Sequence, residues 1–191
     1  MIILGVDPGT ITTGYGIIEV ESGQATVLDV DIVRNRATRS MPVRLKSIYD
    51  RLCTVIDKYH PDEFAIETAF YGKNAQSALK IGHARGVSIL AAVNRQIPTA
   101  EYSPRAVKRA VVGNGAASKQ QVQYMVKSLL RLRAAPRVYD ASDALAVALC
   151  HWYHQSNRII TDRQGKKKSK RTSGSWSEFL AAHPHRIVRQ S

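Results

Sequence analysis

The sequence predicts an α/β domain, a mixed five-stranded sheet flanked by helices. Three observations carry that expectation. Short apolar runs ending in turn residues alternate with longer segments whose apolar side chains recur every three to four positions. The first three strand-like runs follow one another through tight turns, whereas the later ones are separated by helical stretches, so antiparallel and parallel pairing must mix. A chain of 191 residues with 44% hydrophobic side chains is also long enough to bury a sizeable core.

Residues 2–7, IILGVD, make a short buried strand that stops at a Pro-Gly turn. Residues 13–20 (TGYGIIEV) and 25–33 (ATVLDVDIV) continue it as a meander, with Ser-Gly of the intervening ESGQ supplying the turn. From Met41 to Tyr59, positions Val43, Leu45, Ile48, Leu52, Val55, Ile56 and Tyr59 keep helical spacing, and Pro61 ends the helix. EFAIE, residues 63–67, is the fourth strand. Residues 75–95 form an Ala/Leu-rich helix containing Gly82 and Gly86, and IPTAEYS supplies the fifth strand. Pro104 opens a short helix to about Val112. Ser118 caps another over 119–131, and the last helix starts within VYDASDALAVALCHW, residues 138–152. From Thr161 the chain is polar, charged and aperiodic, so residues 1–157 are expected to form the folded body and 158–191 a flexible basic tail.

Charge narrows the function. Lys and Arg number 28 against 15 acids, a net charge of +13; residues 158–191 hold nine basic and two acidic side chains, which leaves +6 on the body. An excess that survives removal of the tail points to a polyanion, most often nucleic acid. No run of 18 apolar residues occurs, which argues against a membrane span, and the opening MIILGVDPGT lacks a basic leader. Cys53 and Cys150 lie in apolar helical patterns and are expected as reduced, buried thiols of a cytoplasmic protein. No Cys/His group has zinc spacing.

The acids carry the chemistry. Asp7 ends the first strand and Glu67 the fourth, and a crossover helix between them makes parallel pairing of these strands natural. Both carboxylates then reach the carboxyl end of the sheet, where open α/β sheets place ligands. Asp140 and Asp143, three apart at the mouth of the last helix, share one face. If that helix begins at the same edge, four carboxylates gather there and need cationic compensation. Mg²⁺ suits a few carboxylates, water and phosphate oxygens, and two such ions form the clamp for in-line phosphoryl displacement. His83 is expected in an interface or the core, and His151, about 12 Å along the helix from Asp143, is too distant to join the acids.

Four motifs, GVDPGTITTGYG, AIETAFYGKNAQSALKIGHARG, YSPRAVKRAVVGNGAASKQQVQYMV and DASDALAVALCH, resemble in order and spacing the bacterial RuvC Holliday-junction resolvases over residues 1–155. The resemblance implies an RNase H-like fold, a homodimer, and Mg²⁺-dependent paired nicking of four-way junction DNA, with Mn²⁺ as a substitute ion. It assigns Asp7, Glu67, Asp140 and Asp143 as metal ligands, Asp140 being the position some relatives fill with histidine. It implies that Lys119 and Lys108 contact DNA or the scissile phosphate, that Phe70 stacks on an unpaired base with Tyr71 beside it, and that Lys73, Arg105 and Arg109 bind backbone phosphate. It places a dimer contact on the Gly82/Gly86 helix. It also implies a branch-migration helicase complex of the RuvA and RuvB type as partner, on which the tail's Trp176 and Phe179 would dock. Three other readings compete: an actin-like ATPase using DPGT as a phosphate loop, for which the chain lacks a second half; a non-catalytic junction binder, which has no need of four acids; and a different RNase H-like nuclease.

Overall fold

The computed structural model describes residues 1–68 and 75–163. Strands β1 (Ile2–Asp7), β2 (Thr12–Glu21), β3 (Gln24–Arg34), β4 (Glu63–Glu67) and β5 (Thr99–Tyr102) form one sheet in the order β3-β2-β1-β4-β5. The meander β1-β2-β3 is antiparallel, whereas β4 pairs parallel with β1 and with β5. Ser22 (φ 51°) and Gly23 (φ 77°) both take the left-handed conformation in the β2–β3 turn, which matches a hairpin to strand twist. Helices α1 (Met41–Tyr59), α2 (Ala75–Val93), α3 (Pro104–Val112), α4 (Lys119–Leu129) and α5 (Tyr139–Arg163) complete the element list. By internal packing the chain divides into two units, Met1–Ser156 and Asn157–Ser191. The last helix itself runs on to Arg163.

Strand parity decides which side chains face which layer. Leu4, Val6, Tyr15, Ile17, Phe64 and Ile66 are fully buried in one core with Ile48 and Leu52 of α1 and Ala84 and Ala91 of α2. Ile3, Ile18 and Ala65 point the other way, into a second core with α3, α4 and α5. Residues Ala144 to Cys150 of α5 are all inaccessible to solvent, as a helix that is apolar all round should be.

Glycines let that helix come unusually near. A Cβ at Gly14 would lie 1.9 Å from the Asp140 carbonyl oxygen, and one at Gly5 would lie 2.2 Å from that of Ala144. Only a residue without a side chain permits such contact between strand and helix. Gly14 is the register partner of Asp7 across β1 and β2, so this packing fixes the start of α5 over the end of β1.

One expectation changes. Cys150 is buried as anticipated, but Cys53 is only half-buried, with its sulfur 3.1 Å from Arg95 Nη1. His83 is exposed on α2, outside the core, which leaves the interface alternative. No described helix is long and apolar enough to cross a membrane.

Candidate active site

Asp7 and Glu67 share strand parity with Gly5 and Ala65, so both project from the sheet toward α5. Asp140 lies in the first turn of α5, where an acid suits the positive end of the helix dipole, and Asp143 follows one turn later. All four acids are partly buried. Among the described residues, no three Asp, Glu, His or Cys side chains stand in a group ready to hold a metal ion. The acids are electrostatic neighbours at one edge of the sheet.

Their mutual influence is marked. Burial raises the Asp7 carboxyl well above the ordinary aspartate value, and Glu67, Asp143 and Asp140 each push it further, against a smaller opposing effect of Lys119. Glu67 is pushed up to about 7 by burial and then by Asp143, with Lys119 and Lys108 opposing. Asp143 is also raised, chiefly by burial; Lys119 draws it back and Asp140 adds to the rise. Packed carboxylates with raised affinity for protons have, by the same logic, raised affinity for any other cation.

The cations come from α3 and α4. Ser118 and Gln121 form a reciprocal capping box: Ser118 N–H donates to Gln121 Oε1 at 2.8 Å, and Gln121 N–H donates to Ser118 Oγ at 3.2 Å. That box sets Lys119 as the first residue of α4, and its Nζ stands 3.4 Å from Asp143 Oδ2. Burial alone would lower the Lys119 ammonium, but Asp143, Asp7 and Asp140 outweigh it, so it is held charged. On α3, capped by Ser103 with Pro104 in its first turn, Lys108 is half-buried and lowers both Glu67 and Asp143, while Arg105 and Arg109 are exposed. Phe70, Tyr71 and Lys73, and the tail beyond Arg163, lie outside the described residues.

His151 is spoken for elsewhere. It is 2% exposed, its Nδ1 is 2.9 Å from Tyr102 Oη, and its Nε2 faces Glu63 Oε2 at 3.6 Å. Glu63 and Glu67 lie on one side of β4, four residues and about 13 Å apart, so the histidine meets the strand end remote from the acids.

The donor chemistry of these acids, rather than a ready-made ligand geometry, suits a hard divalent cation. Every candidate ligand is a carboxylate oxygen and the group is short of positive charge despite Lys119, the donor chemistry Mg²⁺ favours. The site thus joins an all-oxygen acid cluster to a basic helix pair.

A family model described as crossover junction endodeoxyribonuclease RuvC matches residues 3–151 of the chain. The chain belongs to the RuvC family. The family relation extends over most of the chain: the RuvC of Salinibacter ruber is 44% identical over 187 residues, covering 98% of this chain and 99% of that protein. The Shewanella loihica RuvC is 51% identical over 173 residues, covering 91% and 97%. Among solved structures, Thermus thermophilus RuvC in complex with Holliday junction substrate superposes with a TM-score of 0.77 at 33% identity, covering 84% of this chain and 97% of that one. Membership makes the protein a nuclease, a hydrolase with the RNase H-like fold.

What the sequence did not disclose was the glycine seat under α5 and the polar rivets of the loop after Asp7. Thr13, fully buried, donates from Oγ1 to the Gly9 carbonyl at 2.6 Å. The signal available was Gly5, Gly14 and Gly16 standing inside strands, where glycine is unfavourable unless another backbone approaches.

Proposed function

We propose that this protein resolves four-way DNA junctions by paired, symmetric hydrolysis of two phosphodiester bonds, using Mg²⁺ held by Asp7, Glu67, Asp140 and Asp143. The observation that carries this is the coupling of Asp7, Glu67 and Asp143 at one sheet edge, against Lys119 and Lys108. When bound, the ions supply a reactive water and Lewis-acid stabilisation of the departing oxygen, the role of paired metals in phosphoryl transfer. The four acids hold those ions; Mn²⁺, with the same liking for oxygen, substitutes. Lys119, kept charged by its acidic neighbours, stabilises negative charge developing on the phosphoryl oxygens. Lys108, Arg105, Arg109 and Lys73 bind backbone phosphates without reading sequence. Phe70, with Tyr71 beside it, stacks on an unpaired base at the junction centre.

Two matched nicks require two matched sites, and a four-way junction has approximate two-fold symmetry, so the working form is a homodimer. The exposed stripe of α2 supports that reading. Leu79, Leu90 and Val93 are 62%, 49% and 51% exposed. Between them a Cβ at Gly82 or Gly86 would meet nothing within 4 Å, a surface that lets a second helix approach closely. The enzyme works in the cytoplasm with a branch-migration helicase complex of the RuvA and RuvB type.

Incubation with a synthetic mobile junction, with and without Mg²⁺, tests the reading. Two nicked duplexes of equal product length, formed only with the ion, support it. Cleavage of plain duplex or RNA–DNA hybrid at the same rate removes junction specificity.

A further inference from the structure

The connection from the end of β3 into α1 is densely basic. Residues 34–44, RNRATRSMPVR, contain four arginines and no acid, so they hold +4 of the body's +6. Arg34, Arg36 and Arg39 are exposed and Arg44 is half-buried. None of the four pairs with a carboxylate among the described residues: Asp31 is taken by Arg51 and Asp50 by Lys46. Helix α1 carries no acid in its first turn. Unpaired arginines concentrated this densely lack the interspersed acids of an ordinary solvated surface.

The segment is also fixed in place relative to the catalytic acids. Arg34 is the register partner of Thr12, and Gly14, two residues on, is the partner of Asp7. Two strand spacings sideways and two residues along place the Arg34 and Asp7 backbones about 12 Å apart. Asn35, 3% exposed, ties the segment to the loop that follows Asp7. Its backbone N–H donates to the Ile11 carbonyl at 2.8 Å, and its Nδ2 donates to the carbonyls of Thr10 at 3.4 Å and Arg44 at 3.3 Å. Arg44 in turn donates from Nε to the Arg39 carbonyl at 2.9 Å. A surface loop with a buried asparagine as its rivet keeps its charges at a set distance from the site.

We propose that Arg34, Arg36, Arg39 and Arg44 form a second phosphate-binding strip that grips the sugar–phosphate backbone of a DNA arm about three to four nucleotides from the cleaved bond. That spacing follows from about 12 Å at about 3.4 Å of helix axis per phosphate on one strand. This deepens the junction-cutting reading and rests on it. Guanidinium groups suit the task because each can engage phosphate oxygens with two parallel N–H donors. The strip supplies grip and register, not base recognition, and on the sheet it lies on the β3 side of Asp7, opposite the β5 side from which α3 departs.

The test uses the full chain and the triple variant R34Q/R36Q/R39Q, whose side chains make no bond that holds the fold. Junction affinity is measured from 50 to 200 mM salt, together with cleavage at saturating junction. Three lost phosphate contacts reduce the slope of log affinity against log salt by about 2.7. Between those salt concentrations the variant then loses about 40-fold less affinity than the wild type, with cleavage at saturation unchanged. Hydroxyl-radical protection disappears three to four nucleotides from the cut, and R34K/R36K/R39K restores the slope. A variant with wild-type circular dichroism and an unaltered slope overturns the strip while leaving the junction-cutting reading intact. A wild-type chain that neither binds nor cuts junctions overturns that reading, and the strip with it.

Discussion

Glu67→Gln separates the electrostatic account from a purely structural one. Burial and Asp143 move the Glu67 carboxyl from 4.5 to about 7. Folded protein therefore holds this proton more tightly than unfolded chain, and the associated stability is present below about pH 4.5. It is lost as pH rises through about 7. The displacement corresponds to about 3 kcal/mol of strain in the metal-free protein at pH 8. Asp7 and Asp143, raised in the same sense, add to it. Removing the charge at Glu67 relieves that strain. In EDTA at pH 8 the variant melts about 6–12 °C above the wild type, taking 2–4 °C per kcal/mol for a domain of this size. At pH 4 the two melt within a few degrees of each other. Differential scanning calorimetry over pH 4–8 reads both limits, and added Mg²⁺ stabilises the wild type but not the variant. Parallel pH profiles for the two proteins would refute the coupling of these acids.

Asp7→Asn lowers nicking by at least about 10²-fold while junction affinity stays within a few-fold, because binding rests on basic residues; gel shift and cleavage assays read the two separately. Lys119→Met lowers turnover by about 10²-fold without changing the salt slope by more than one phosphate contact, measured by single-turnover cleavage. Gly14→Ala drives a methyl group into the Asp140 carbonyl, costing about 1–3 kcal/mol in urea unfolding together with most of the activity. Deleting residues 158–191, which carry nine basic side chains, flattens the salt dependence of binding and leaves cleavage in place, read by titration at several salt concentrations.

Periodicity and punctuation made most of the architecture legible. Alternation placed Asp7 and Glu67 on strands, Pro104 and Ser118 marked two helix starts, and the crossover from β1 to β4 implied parallel pairing. The acid edge was legible for the same reason: once those strands pair, parity alone turns both carboxylates to one face. Distance was harder to read. Nothing local in VYDASDALAVALCHW says how near it lies to β2; that depends on Gly5 and Gly14, residues remote in sequence that act by lacking a side chain. Exposure was misjudged for Cys53 because helical spacing gives a face without saying what covers it. The Arg34–Arg44 strip was visible as charge, but its proximity to Asp7 came only with the β2–β3 register and the Asn35 bonds.

In the proposed mechanism, acids from β1, β4 and α5 hold divalent ions against the bond to be cut. Crystals of the protein with a four-way junction, grown in Mn²⁺ and measured at the manganese absorption edge, address it directly. Anomalous peaks are expected among Asp7, Glu67, Asp140 and Asp143, in contact with a backbone phosphate. Bound junction with no manganese signal at those carboxylates would contradict it.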